Sequence, residues 1–220
     1  MKSTFTKILD ASEKQFALYG VEGISLRQVI AAAGVSQGSL HYHFGGKDGL
    51  LEAVLDRCLP PLMAERTEIL RELTARPQAP TPRELLSGIA LPLARRAIDG
   101  GAAGKRTVHL LARLYGENNA VYLRTVEKYF KDVNFVFIER LQAALPALSK
   151  GQIELRVQIA FSAIFSTLVA IDTPPKAWQA EMSESPFEPW TIVDELLDFL
   201  AQGFGNEKPQ AKRSRPEPKR

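Results

Sequence analysis

Residues 25–46 constrain this chain more than any other stretch. Ser25 precedes a short run, Leu26 to Ala33, and Gln28 sits three residues on, where it completes a capping box. Gly34 stops that run. Ser36 then caps a second one, from Gln37 to about Phe44, which Gly45-Gly46 breaks. Two short helices joined by a glycine-centred turn form helix-turn-helix geometry. Ala31, Ala32 and Ala33 supply small side chains where the two helices are expected to approach closely, with Val29, Val35, Leu40 and Ile8 as anchors.

Helical patterning runs through nearly all of the remaining chain, with no sustained period-two alternation and no internal repeat. The first helix spans about Ser3 to Tyr19, with Phe5, Ile8, Leu9, Ser12, Phe16 and Tyr19 at three- and four-residue spacing and Gly20 as its stop. A helix from Lys47 to about Leu59 is expected to end at Pro60-Pro61. Further helices are expected over 61–75, 82–98, 104–116, 118–145, 150–172 and 190–203. A proline-rich loop spans Thr173 to Pro189. The fold class is all-α: a three-helix head (1–48), a helical body (49–204) and a disordered basic tail (205–220).

Charge gives no global argument for nucleic acid. The chain carries a net +3, but residues 206–220 alone hold six basic and two acidic side chains, so the remainder is at −1. The tail is read as a solvated extension, with auxiliary phosphate contact as the alternative. The single cysteine, Cys58, cannot form an intramolecular disulfide, has no ligand-spaced partners and reads as a small apolar-site residue. A cytoplasmic location fits. No signal-peptide pattern opens the chain, and the apolar stretch Val157–Ile171 is shorter than a bilayer span. Neither a Gly-rich phosphate loop, a nucleophile elbow nor a metal-ligand spacing is present, so no enzyme activity, cofactor or metal is expected. His41 and His43 lie two apart, on different sides of a helix, and make no metal pair.

The outward face of the second short helix carries Gln37, Gly38, Ser39, His41, Tyr42 and His43, polar and free of acids. Such a helix presents its N-terminal residues to base edges in the major groove. Gln37 matches adenine, Ser39 several bases, and Gly38 admits close backbone approach. Ser25 and Ser36 at helix starts, Tyr42 and Lys47 suit phosphates.

These residues resemble the TetR family. Its first helix, of the form I-L-x-A-A-x-x-x-F-A-x-x-G, is similar to Ile8-Leu9-Asp10-Ala11-Ser12, Phe16-Ala17 and Gly20. Its I-A-x-x-A-G-V-S-x-G-x-L-Y-x-H-F-x-x-K-E-x-L segment is similar to Val29 through Leu50. The match covers roughly residues 5 to 55. Departures are Ile30 where alanine is usual, His41 for the usual tyrosine, and the flexible Gly45-Gly46. The resemblance implies a homodimeric repressor of a palindromic DNA operator, released by a small molecule held in the body.

Candidate pocket residues in the body are His109, Arg113, Tyr115, Tyr122, Tyr129, Phe130, Asn134 and Phe137. The stretch Val157–Ile171 is uncharged over four turns, so it must be covered on more than one side. It and the last helix are expected to dimerise through Phe161, Ile164, Phe165, Leu168, Leu196, Leu197 and Leu200, the alternative being a core helix of a monomer. A DNA-binding protein that senses no ligand remains the rival function.

Overall fold

The computed structural model describes residues 3–172 and 187–205. Within them the fold is all-α: α1 (Thr4–Tyr19), α2 (Leu26–Ala33), α3 (Gln37–Phe44), α4 (Lys47–Thr74), α5 (Pro82–Ile98), α6 (Gly101–Gly116), α7 (Ala120–Ala144), α8 (Lys150–Asp172) and α9 (Pro189–Gly205). Most of the 173–189 loop and the basic tail lie outside the described residues.

Local signals set the head. Ser3 caps α1 by accepting from the Thr6 amide at 3.1 Å. Ser25 and Gln28 form the reciprocal capping box of α2. Ser36 accepts from the Ser39 amide at the start of α3. Gly34 takes a left-handed φ of 64°, which lets the chain turn within the three residues between α2 and α3. Ile8, Phe16, Val29, Leu40 and Leu50 are fully buried where α1–α3 meet the start of α4. Each such side chain contributes on the order of 1.5–3 kcal/mol. The alanine expectation is corrected: Ala31 and Ala32 are exposed and Ala33 half-buried, so it is Val29 and Leu40 that close the joint. Phe5 and Tyr19 of the expected α1 stripe also stay largely exposed, although Phe5 stacks on Phe44 with centroids 5.0 Å apart.

The break expected at Pro60-Pro61 does not occur. α4 is one 28-residue helix that carries both prolines in its interior. Each proline removes one backbone hydrogen bond. Burial of Leu55, Leu59 and Leu62 on both sides of the pair, with α5 and α7 packed along α4, offsets that loss. The result is a continuous rod from the head into the body. The body packs α5 against α4, α6 and α9, and α8 against α5, α6, α7 and α9. Among the described residues α8 alone is long and apolar enough to cross a membrane by length and composition, and its Ile153, Ala160, Ile164, Phe165 and Leu168 are buried against these neighbours.

Candidate nucleic-acid interface and body cavity

α3 stands on the surface with its inner side pinned by Leu40 and Phe44. Gln37, Gly38, His41, Tyr42 and His43 are all exposed, and Tyr42 is 86% accessible. A Cβ added at Gly38 meets no atom of the described residues within 4 Å. The glycine therefore serves no packing need inside the chain and leaves room for something approaching from outside. Ser36 and Ser39 hydroxyls lie 2.9 Å apart at the α3 N-terminus. His41 Nδ1 sits 3.3 Å from the Gly45 carbonyl at the other end. His43 packs edge-on between Phe5 and Tyr42, so its ring is steered by α1 as well as by its own helix. Lys47 opens α4 beside α3, 3.7 Å from the highly exposed Glu22, a screened pair that leaves the ammonium available to other anions. Ser25 sits at the α2 N-terminus, engaged with Gln28. Arg27, exposed in the first turn of α2 two residues after Ser25, was not singled out from the sequence. Its only sequence signal was position, one residue into a helix start.

A polar joint ties head to body. Arg57 of α4 donates to Asp10 Oδ1 at 2.7 Å, to the Leu9 carbonyl at 3.3 Å and to Glu13, all on α1. Glu13 is buried and accepts from Thr107 of α6 at 3.1 Å. Beside them Cys58 is buried, and desolvation pushes its thiol up to about 11. Arg113 belongs here rather than in a pocket: from α6 it donates to the Leu18 carbonyl at 3.4 Å and to Glu117 at 2.9 Å. It thereby satisfies a free carbonyl in the last turn of α1.

The body holds a partly open cavity of about 70 Å³ between α4, α5, α6, α7 and α8. Tyr122, Phe130 and Asn134, three of the expected pocket residues, line it. Tyr122 is buried, and desolvation raises its hydroxyl far above the usual tyrosine range. Phe137 lies just behind, 5.0 Å from the Arg66 guanidinium. Tyr115 stacks near Phe161 and Phe165 and donates to the Gln158 carbonyl at 3.1 Å. Tyr129 points away from the cavity, its hydroxyl 2.8 Å from Asp56. His109 is half-buried on α6 outside the lining, with Nε2 unpartnered. The residue that sequence reasoning missed is Arg66, in the cavity wall.

The expected dimer residues are placed differently from their expectation. Ile164, Phe165, Leu168, Leu197 and Leu200 are buried inside this chain, Phe161 lines the cavity, and Leu196 is half-buried. The five buried side chains are packed in this chain's own core, while Phe161 and Leu196 keep part of their surface exposed. The exposed apolar side chains of α8 and α9 are instead Leu155 (57%), Ile159 (56%) and Phe199 (73%).

Comparison with known proteins agrees with this geometry. A family model described as bacterial regulatory proteins, tetR family, matches residues 8–54. One described as tetracyclin repressor-like, C-terminal domain, matches residues 87–203. The HTH-type transcriptional regulator TtgW of Pseudomonas putida is 38% identical over 66 residues, 30% of this chain and 49% of that protein. BetI of Burkholderia ambifaria is 35% identical over 83 residues, 38% of this chain and 40% of that regulator. The chain thus spans half or less of the length of these curated relatives. Among solved structures, the fatty acid degradation regulator FadR from Bacillus halodurans superposes with a TM-score of 0.57 at 14% identity, covering 91% of this chain and 96% of that one. A TetR-family regulator from Shewanella sp. PV-4 gives 0.57 at 16% identity, covering 92% and 98%. These likenesses establish the fold of the whole, and the two family matches establish both halves: the chain belongs to the TetR family of bacterial transcriptional regulators, with an N-terminal helix-turn-helix DNA-binding domain.

Proposed function

We propose that this regulator is a repressor that binds a palindromic operator as a homodimer in the cytoplasm and is released by a small molecule held in its body. The observation that carries the reading is the continuity of α4. It begins beside the reading helix at Lys47, and Arg66, nineteen residues on, stands in the cavity wall. At 1.5 Å per residue that is about 28 Å of one continuous helix. A cavity of about 70 Å³ holds only a few waters. A drug-sized ligand needs several hundred Å³, so its entry must move the walls, α4 among them. The ligand would favour a state in which the two reading helices no longer fit successive grooves. The division of labour follows: residues 1–48 read DNA, and 49–204 sense and dimerise.

On the DNA, Gln37, Gly38 and Ser39 face base edges. Ser25, Ser36, His41, Tyr42, His43, Lys47 and the added Arg27 face phosphates and groove walls. Dimerisation uses the exposed face of α8 and α9 around Leu155, Ile159 and Phe199. The test is binding to a site selected from random DNA. Tyr42→Ala and Lys47→Ala are each expected to weaken it at moderate salt, and Lys47→Ala also to lower the salt-dependence slope by about one per chain. Wild-type affinity in both variants would overturn the assignment. A DNA binder that senses nothing would keep its affinity whatever small molecule is added.

A further inference from the structure

The cavity wall holds an unpaired charge. Arg66 is 6% exposed, its Nη2 has no hydrogen-bond partner, and it forms no ion pair among the described residues. Its neighbours are rings: the guanidinium carbon lies 5.0 Å from the Phe137 centroid, 5.9 Å from Phe130 and 6.0 Å from Phe161. Burial lowers its pKa to about 10, which still leaves it protonated at neutral pH. Ring faces attract a cation, but they accept none of its five N–H donors in the plane of the fork. Arg106 also leaves a buried Nε without a partner, but it lies outside this cavity, and two other partly buried arginines of the described residues are satisfied. Arg57 holds two carboxylates, and Arg96 holds Glu65 at 2.6 Å and the Pro92 carbonyl at 2.7 Å. A buried, uncompensated cation is costly, and buried charges are ordinarily paired.

We infer that Arg66 is the anchor for a carboxylate-bearing effector: the fork of the guanidinium receives the anion and the apolar cavity receives the rest of the molecule. This rests on the proposed ligand-sensing function and specifies the effector's chemistry. The lining beyond Arg66 is almost wholly apolar, with Leu62, Ile89, Leu93 and Phe165 opposite the two polar side chains Tyr122 and Asn134. Such a lining selects a compact aromatic or branched aliphatic acid over a sugar or a polyamine. A planar carboxylate matches the guanidinium through two parallel N–H···O bonds. It would also neutralise the one charge that α4 carries in the cavity. Binding therefore couples to the position of the same helix that leads from the reading head.

The test uses three probes with one apolar body: phenylacetate, 2-phenylethanol and 2-phenylethylamine. They are run beside the corresponding branched-chain set, isovalerate, isoamyl alcohol and isoamylamine. Binding is measured calorimetrically and by thermal shift on the full-length wild type, Arg66→Met and Arg66→Lys. The expected result is that the tighter-binding carboxylate binds wild type at least tenfold more tightly than its alcohol, with the amine weakest. Arg66→Met should lose that preference, and Arg66→Lys should keep it with weaker binding. Without any probe, Arg66→Met should melt at or above the wild-type temperature, because it removes a charge that no described residue pairs. Three results overturn the inference: alcohols or amines binding as well as acids, a carboxylate preference that survives in Arg66→Met, or an unliganded Arg66→Met that melts several degrees lower. Neutral probes that bind and release DNA would refute the charge assignment while leaving ligand sensing intact. No binding by any member of either set would count against both.

Discussion

The joint between head and body provides the sharpest energetic test. Arg57 lies partly buried between α1 and α4, and truncation to alanine strips the cation from both Asp10 and Glu13. Glu13 is 8% exposed, so its carboxylate would be left with Thr107 as its remaining polar contact in the joint. Removing one partner of a buried pair costs about 3–5 kcal/mol. Arg57 and Asp10 are each about one-third exposed, and water recovers part of that loss. The expected destabilisation is therefore about 2–3 kcal/mol, or a fall of about 4–12 °C in Tm for a chain of this size. The assay is urea unfolding followed by far-ultraviolet circular dichroism at neutral pH. A second variant isolates the cause. In Arg57→Ala/Glu13→Gln the orphaned charge is gone, so the double variant should recover about 1 kcal/mol over the single. A single variant within about 0.5 kcal/mol of wild type, or a double variant no better than the single, would refute the reasoning.

Three further outcomes are expected. Gly38→Ala sits inside a helix and faces open space, so it should leave stability unchanged or raise it by up to about 1 kcal/mol, while reducing affinity for the selected DNA site at least tenfold; an unchanged affinity by fluorescence anisotropy would remove Gly38 from the interface. Ile159→Glu combined with Phe199→Glu should give a folded monomer by light scattering, since both side chains are exposed in the single chain; a persistent dimer mass would place the interface elsewhere. Cys58 should resist a thiol reagent at pH 8 until the chain unfolds, because its protonated form is favoured in the buried site. The thiol's ordinary value of 9 rises to about 11 on folding, so its contribution is intact below pH 9 and lost as pH climbs toward 11. That loss is on the order of 2 kcal/mol. Stability that holds flat across pH 9–11 would contradict it.

What could be read from the residues was what is decided locally. Ser25 with Gln28, Gly34, Ser36 and Gly45 each act within four residues of themselves, and the helices they bound fall where their spacing places them. Pro60-Pro61 misled for the opposite reason. The local penalty is real, but packing on both flanks of α4 outweighs it, and that packing comes from α5 and α7, distant in sequence. Which residues of α8 turn inward could not be read from the sequence, because a helix that is apolar all round has no face that its pattern can identify. Phe165 and Leu168 turned inward, and Leu155 and Ile159 outward. Arg113 and Tyr129 looked like pocket residues by composition, yet their hydrogen bonds go to Leu18 and Asp56, partners that only the fold brings near. Arg66 escaped notice because a single arginine in an amphipathic helix reads as surface; only the ring of Phe130, Phe137 and Phe161 around it marks it as buried.

Base reading by α3 in two symmetric copies is open to a direct measurement. Selection of bound sequences from a random DNA pool should be run with the wild type and with Gln37→Ala side by side. The wild type should recover a palindrome whose half-sites lie about one helical turn or slightly more apart. Gln37→Ala should recover the same palindrome with its preference relaxed at one symmetric pair of positions. No enriched sequence, or an identical motif from both proteins, would contradict the assignment of α3 as the reading helix.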